Sequence, residues 1–377
     1  MVRGFAGALA FVLVGALASP TATVHAQTAL SQSAAGHGAA QQTAPAQAGS
    51  SSAAPGRNAP QQPVPQPTDA QDHNAAIPTG TTFKAGTELV ALNVTVTDTR
   101  HQYLKGLLKE DFAVFEDGVP QEVSFFAMTS LPLDLTIMID TSASMTDKIV
   151  FVHQAATNFV HTLRPGDRAE IVGFSDHAEV LAPFTGDVPT LDAAINSTTP
   201  HGSTALYTSL YIAVADLARL ARQHTDIRRQ AIVVLTDGED TSSMLSFEDL
   251  MDAAKRAGVA IYAISVISPF DTRKLDDSGT HRYSTESDFA LRSLAQETGA
   301  RSFFPMQIKD LNGVYQEIAD ELSSQYSIGY IPRVHGDGAF HRLFVRVLHH
   351  PDASSRTRSG YYSSRPVRAS LADGDDK

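Results

Sequence analysis

Asp140-Thr141-Ser142-Ala143-Ser144-Met145 brings one carboxylate and two hydroxyls together directly after the apolar run Leu135-Thr136-Ile137-Met138-Ile139. A strand that ends in Asp-x-Ser-x-Ser puts these three side chains on a single tight loop. They offer hard oxygen and neither nitrogen nor sulfur, which is the ligand set a Mg²⁺-type cation prefers. They are too few to fill its octahedron. Two later segments are candidates for the remainder. Asp237 follows the strongly apolar Ala231-Ile232-Val233-Val234-Leu235, and Thr204 lies in His201-Gly202-Ser203-Thr204-Ala205-Leu206-Tyr207, at the start of a helix. Gly202 lets the backbone pass close to such a site.

The elements that must position these residues alternate strand and helix from 131 to 325. Leu133 to Ile139 reads as a buried strand, followed by a helix that Thr146 can cap, with Ile149, Val152, Ala156, Phe159, Val160 and Leu163 on one face. Strands follow over 169–174, 179–184, 231–235 and 259–266, with a short one at 301–304. Helices start at Ser203 and run over 247–257, 289–298 and 308–323. Apolar strands between amphipathic helices predict an α/β fold, a doubly wound, mostly parallel sheet covered on both faces. Ligands of such a sheet bind beyond the carboxyl ends of the strands, where the strand order reverses. Asp140 and Asp237 both lie just past strand ends, so they converge if their strands are adjacent.

On either side the period drops to two. Val90, Leu92, Val94 and Val96 alternate with smaller or polar residues, and Glu116-Asp117-Gly118-Val119-Pro120 predicts a hairpin turn between Phe112–Phe115 and Val123–Phe126. Segments 325–331 and 341–348 read as further strands, with Gly336-Asp337-Gly338 in the turn between them. Neither flank has enough strands to bury two faces, so 84–129 and 326–363 are expected to build one β-sandwich with the α/β domain, 131–325, inserted in it.

The order Asp140-x-Ser142-x-Ser144, then Thr204 at a Gly-rich helix start, then Asp237-Gly238 after a central strand, resembles the von Willebrand factor type A domain. The resemblance implies a metal-ion-dependent adhesion site. Ser142, Ser144 and Thr204 would supply hydroxyl ligands, and Asp140 and Asp237 carboxylates that act in part through water. The cofactor implied is Mg²⁺, or Mn²⁺ or Ca²⁺, at one site. The flanks, in Asn93-Val94-Thr95-Val96-Thr97-Asp98, Phe115-Glu116-Asp117-Gly118 and Gly360-Tyr361-Tyr362, are similar to exported acidobacterial-type relatives of that family. Thr208 departs from the acid many relatives carry there, and His201 stands where glycine is more usual.

The 377-residue chain starts with a basic residue, Arg3, an apolar stretch from Phe5 to Ala18 and the small-x-small triplet Val24-His25-Ala26. This order predicts a signal peptide over 1–26, hence export to the periplasm, envelope or exterior and no membrane span after cleavage. Residues 27–80, rich in Ala, Gln, Pro and Ser, predict a disordered tether, and 364–377 a disordered tail. The absence of cysteine rules out a thiolate nucleophile and Cys-ligated zinc. A formal net charge of −12 argues against nucleic acid as a partner.

Bland readings compete at several positions. Asp140 could be a helix cap and Asp237 a turn residue. Gly173-Phe174-Ser175-Asp176-His177 has His177 where a nucleophile elbow needs glycine. Arg219, Arg222, Arg228 and Arg229 read as a solvated helix end, and His349-His350 as exposed strand. The expectation is a non-enzymatic binding module that recognises a Glu or Asp of a protein partner through the cation. The alternatives are an accessory or sensor subunit of an envelope complex, and a metal-dependent hydrolase with Glu239 as base. The oligomeric state is open.

Overall fold

A computed structural model describes residues 89–128, 131–223, 226–237, 239–266, 286–333 and 336–363. The expected signal peptide, tether and tail lie outside the described residues. Among the described residues, the first strands are β1 (Val90–Thr97), β2 (Phe112–Glu116), β3 (Val119–Gln121) and β4 (Val123–Met128). The α/β part follows: β5 (Leu133–Asp140), α1 (Ile149–Val160), β6 (Arg168–Phe174), β7 (Ala178–Thr185), α2 (Val188–Ser197), α3 (Leu206–Gln223) and β8 (Arg229–Thr236). It continues through α4 (Phe247–Ala257), β9 (Ala260–Ser265), α5 (Glu286–Glu297), β10 (Ser302–Phe303) and α6 (Leu311–Leu322). The last strands are β11 (Tyr326–Tyr330), β12 (Phe340–Val347), β13 (Ser354–Arg356) and β14 (Gly360–Tyr362).

The central sheet has the order β10-β9-β8-β5-β6-β7. Its neighbours are parallel except for the edge strand β7, which runs antiparallel to β6. All eight residues of β5 are buried. Leu135, Ile137 and Ile139 pack with α1, α2 and α6 on one face, and Met138 packs with Val234 and α3 on the other. A strand enclosed on both faces is mostly apolar, and its two polar residues before Asp140 are bonded: Asp134 to Arg168 and Arg228, Thr136 to Glu170. Register pairs Ile139 with Leu235, so the ends of β5 and β8 sit side by side. The next strand after β5 in the chain, β6, lies on the opposite side of β5, which makes the β5–β8 boundary the place where strand order reverses.

Two four-stranded sheets, β13-β1-β11-β4 and β14-β12-β2-β3, form the sandwich. Between them lie Leu92, Val94, Val114, Ile328, Tyr330 and Val345. Tyr326 pairs with Met128, so the chain leaves for the α/β part and returns from it at neighbouring positions of one sheet. That adjacency is what an inserted domain requires.

The Asp-Gly turn is a hairpin, but its second strand is β3; β4 crosses to the other sheet and pairs with β11. Likewise β11 and β12 belong to different sheets and do not pair with each other. Alternation identifies a half-buried strand and carries no information about which sheet it joins. The arginine run divides. Arg219 and Arg222 are exposed, whereas Arg228 Nε and Arg168 Nε both donate to buried Asp134, at 2.7 and 2.9 Å. Arg229 is buried, and donates to the carbonyls of Leu131 and Leu322. Arg229 starts β8 and Arg228 directly precedes it, so neither ends α3; together they tie the inserted sheet to the chain that enters and leaves it.

Glu170 of β6 accepts a hydrogen bond from Thr136 Oγ1 at 3.2 Å. Burial pushes its carboxyl up to about 7, against the pull of that bond and with Asp216 adding to the rise. The folded state therefore holds this proton longer than the unfolded chain, whose carboxyl has the ordinary value of 4.5. The expected result is a loss of stability as pH rises from 4.5 to about 7, with no further change from this group above that. Denaturant titrations across this window should show a shallower pH slope for Glu170→Gln.

Candidate metal centre

The end of β5 turns into a short 3₁₀ helix, Ala143–Met145, with Ser142 as its N-cap and Ser144 within it. Asp140 is fully buried. Its Oδ1 accepts the Ser142 backbone N–H at 2.8 Å, and its Oδ2 accepts Thr236 Oγ1 at 2.6 Å. Thr236 is the last residue of β8, so this bond locks together the two strand ends at the reversal point. Burial raises the Asp140 carboxyl above its ordinary value. Hydrogen bonds from Thr236 and Ser142 oppose the rise, and the nearby charge of Asp237 adds to it.

The other oxygens form a chain. Ser142 Oγ and Ser144 Oγ are 3.0 Å apart, and Ser144 Oγ donates to Asp237 Oδ1 at 2.8 Å. Thr204 joins through the backbone: its carbonyl accepts the N–H groups of Thr241 and Ser242 at 2.8 and 3.1 Å. The Gly202 carbonyl accepts the Ala143 N–H at 3.1 Å. The three loops are thus stitched to one another. Thr204 is buried, and its hydroxyl donates no hydrogen bond among the described residues. Gly202 has φ +72, and a Cβ there would lie 2.4 Å from Asp176 Oδ2. Asp176 in turn holds Ser203 through its backbone N–H at 2.9 Å and its hydroxyl at 2.6 Å. The Ser175-Asp176 segment that resembles a nucleophile elbow is therefore the buttress of the Thr204 loop.

Two participants have no place in the motif. Thr236 is one. The other is Lys148, whose ammonium donates to Asp237 Oδ2 and forms an ion pair with it, both side chains being almost fully enclosed. Lys148 is the N-cap of α1 and makes no capping bond. The expected cap, Thr146, instead ends the 3₁₀ helix and donates to the Ala143 carbonyl at 2.7 Å. A lysine at a helix N-terminus opposes the positive end of the helix dipole, and the ion pair with Asp237 offsets that cost. Thr208 accepts the Met244 N–H at 3.0 Å, so it braces α3 against the loop before α4. His201 Nε2 lies 3.2 Å from Ser175 Oγ. Glu239 is exposed and bonds none of these residues among those described.

The donor set fits a hard divalent ion. Two carboxylates and two hydroxyls already lie in hydrogen-bond contact, a further hydroxyl is uncommitted, and a cationic group already sits against one of the carboxylates.

Residues 134–317 match the model of the von Willebrand factor type A domain. Two curated bacterial relatives are similar. One, an uncharacterized protein of Borreliella burgdorferi, is 25% identical over 212 residues, covering 52% of this chain and 56% of its own. The other, a UPF0353 protein of Mycobacterium ulcerans, is 26% identical over 226 residues, covering 56% of this chain and 65% of its own. The chain therefore spans less than two thirds of the length of either relative. Among solved structures, a von Willebrand factor type A protein from Catenulispora acidiphila has a TM-score of 0.41 at 12% identity, covering 75% of this chain and 76% of that one. BatB from Bacteroides thetaiotaomicron has a TM-score of 0.38 at 19% identity, covering 51% of this chain and 100% of that one. The vWF domain of the type V pili tip protein Mfa5 from Porphyromonas gingivalis has a TM-score of 0.37 at 15% identity, covering 50% and 94%. Among the described residues, no helix is long and apolar enough to cross a membrane.

Proposed function

This chain carries a von Willebrand factor type A domain, and from that premise we propose that it is an exported, non-enzymatic binding protein whose Asp140 cluster holds Mg²⁺ and recognises a Glu or Asp side chain of a protein partner. The observation that supports this most is the convergence of Asp140, Ser142, Ser144 and Asp237 at the reversal point of the sheet, with the Thr204 loop bonded to both neighbouring loops. A bound Mg²⁺ would supply an electrophilic centre that accepts one further oxygen ligand.

The chain's own residues prepare that centre. Asp140 is held by Ser142 and Thr236, so its carboxylate is oriented before any ion arrives. Ser142 and Ser144 present neutral oxygens, which leave an ion's charge less fully neutralised than carboxylates would. That leaves it attractive to an acidic side chain. Asp237 is shared between Ser144 and Lys148, so its two oxygens are already distributed between the hydroxyl side and the cationic side of the cluster. Export rests on the reading of residues 1–26, and an envelope or extracellular setting suits a module that meets protein partners.

The test uses immobilised peptides that present a central Glu or Asp, with Gln and Asn versions as controls. Wild-type protein should gain thermal stability with Mg²⁺ and bind the acidic peptides only in its presence, with EDTA reversing both effects. Asp140→Ala should lose both responses. A wild-type protein whose melting and binding are indifferent to Mg²⁺ would overturn the reading.

A further inference from the structure

A second cluster of ligating side chains lies in the sandwich. Glu116 ends β2, Asp117 follows it in the hairpin turn, and His341 lies beside them on β12, where Leu343 pairs with Glu116. One imidazole nitrogen and two carboxylate oxygens from these residues all lie within 4.8 Å of one another. His341 Nδ1 is 2.8 Å from Asp117 Oδ2 and 3.5 Å from Glu116 Oε1. Around a tetrahedral ion with bonds near 2.0 Å, ligand atoms sit about 3.3 Å apart, so the set needs little adjustment.

Each ligand is oriented from behind. His341 Nε2 faces Asp337 Oδ1 at 3.2 Å, and that carboxylate is fixed by the Ala339 N–H at 2.8 Å and by the Ser363 hydroxyl. A ligating histidine commonly hands its second N–H to a carboxylate in this way, which leaves the other nitrogen's lone pair for a metal. Asp117 Oδ1 accepts the Arg342 N–H at 2.8 Å, which leaves Oδ2 directed at the imidazole. Glu116 is more than nine-tenths buried. Its Oε2 accepts Tyr330 Oη at 2.5 Å and Tyr361 Oη at 3.4 Å. Its Oε1 lies 3.5 Å from His341 Nδ1, on the side that faces the cluster. A buried carboxylate needs hydrogen-bond donors or a cation facing it, and on this side the group that faces it is the imidazole. With Asp337, three carboxylates surround a single imidazole, and a divalent ion reduces that excess of negative charge.

We propose that Glu116, Asp117 and His341 form a second cation site, selective for a transition metal such as Zn²⁺, which clamps the β2–β3 turn to the start of β12. The imidazole nitrogen distinguishes it from the all-oxygen cluster at Asp140, since nitrogen with carboxylate ligands favours Zn²⁺ over Mg²⁺. The site does not depend on what the Asp140 cluster binds.

The experiment is a Zn²⁺ titration of the full-length Asp140→Ala protein, which removes the other site, followed by calorimetry and by the visible absorption of Co²⁺ as a substitute. A single equivalent should bind and raise the melting temperature, with a large excess of Mg²⁺ failing to displace it. His341→Gln should abolish that binding. Asp117→Asn changes a half-exposed side chain that the fold tolerates, and should weaken binding by at least about tenfold, as should Asp337→Asn behind the imidazole. Two results overturn the proposal: no Zn²⁺ bound, or binding that both Asp117→Asn and His341→Gln leave unchanged, which would place it on other histidines.

Discussion

Lys148→Met is expected to lower the melting temperature of the metal-free protein and, at the same time, to tighten Mg²⁺ binding by about tenfold or more. Lys148 is 4% exposed, and its ammonium is paired with Asp237. Removing one partner of an enclosed ion pair costs about 3–5 kcal/mol, because the other charge is left without compensation. Here the stranded charges are Asp237 and the neighbouring Asp140, and the compensation can be restored by a divalent ion. If the cluster holds Mg²⁺ as proposed, the ammonium and the ion would compete in the wild type for one oxygen of Asp237. In the variant the ion has no competitor, and it relieves a penalty the wild type never suffers. A tenfold gain corresponds to about 1.4 kcal/mol, less than half of what the broken pair makes available. Melting curves with and without Mg²⁺ check both halves: the variant should start lower and rise further. Lys148→Arg, which keeps the charge, should show neither change in full. If Lys148→Met binds Mg²⁺ no more tightly than wild type, competition at Asp237 is wrong.

The second large effect lies where the inserted domain meets the sandwich. Glu321 of α6 is fully buried. Its Oε1 accepts Tyr262 Oη at 2.7 Å and Thr95 Oγ1 at 3.4 Å, and Arg356 Nη2 of β13 lies 2.6 Å from its Oε2. Arg356 Nη1 also donates to the Gly299 carbonyl at 2.7 Å. One carboxylate thus joins α6 and β9 of the inserted domain to β1 and β13 of the sandwich. Burial, with Glu321 adding, raises the Tyr262 hydroxyl far above its ordinary value, so Tyr262 stays a donor at any physiological pH. Arg356→Met leaves the carboxylate enclosed with only two hydroxyl donors. We expect a loss of about 3–5 kcal/mol and a fall in melting temperature on the order of 10 °C. Glu321→Gln keeps an acceptor for Tyr262 and Thr95 and should cost less. The double variant Arg356→Met/Glu321→Met should recover part of the loss. Urea titration measures all three, and a loss below about 1 kcal/mol for Arg356→Met would show that solvent reaches the carboxylate.

Both effects concern residues that local patterns do not mark. Lys148 and Arg356 look like ordinary surface cations in the sequence, as Arg228 and Arg229 do, because hydropathy records what a side chain prefers and not which carboxylate the fold brings to it. Strand pairing shows the same division. The apolar runs at 112–115 and 123–126 are clear, yet the partner of β2 across the turn is the short, mostly exposed Val119–Gln121. Period two fixes which face of a strand is buried, and is silent about the neighbour. The helix at 188–197 escaped the sequence reading, since it is short and only Leu191, Ala194 and Ile195 are buried on it.

What the sequence determined alone is the chemistry on offer and the order in which it arrives. An Asp and two Ser follow one largely apolar strand, an Asp follows another, and a Thr follows a glycine between them. These are local facts, and the rule that open α/β sheets bind ligands beyond their strand ends turns them into a place. Only the tertiary structure decided that β5 and β8 are neighbours, that Thr236 locks their ends through Asp140, and that Lys148 shares Asp237 with Ser144. These contacts join residues about ninety positions apart in the chain, or sit at a helix start whose own preferences argue against a lysine. Which charges share a site follows from how the sheet is wound, and the winding is a property of the whole domain.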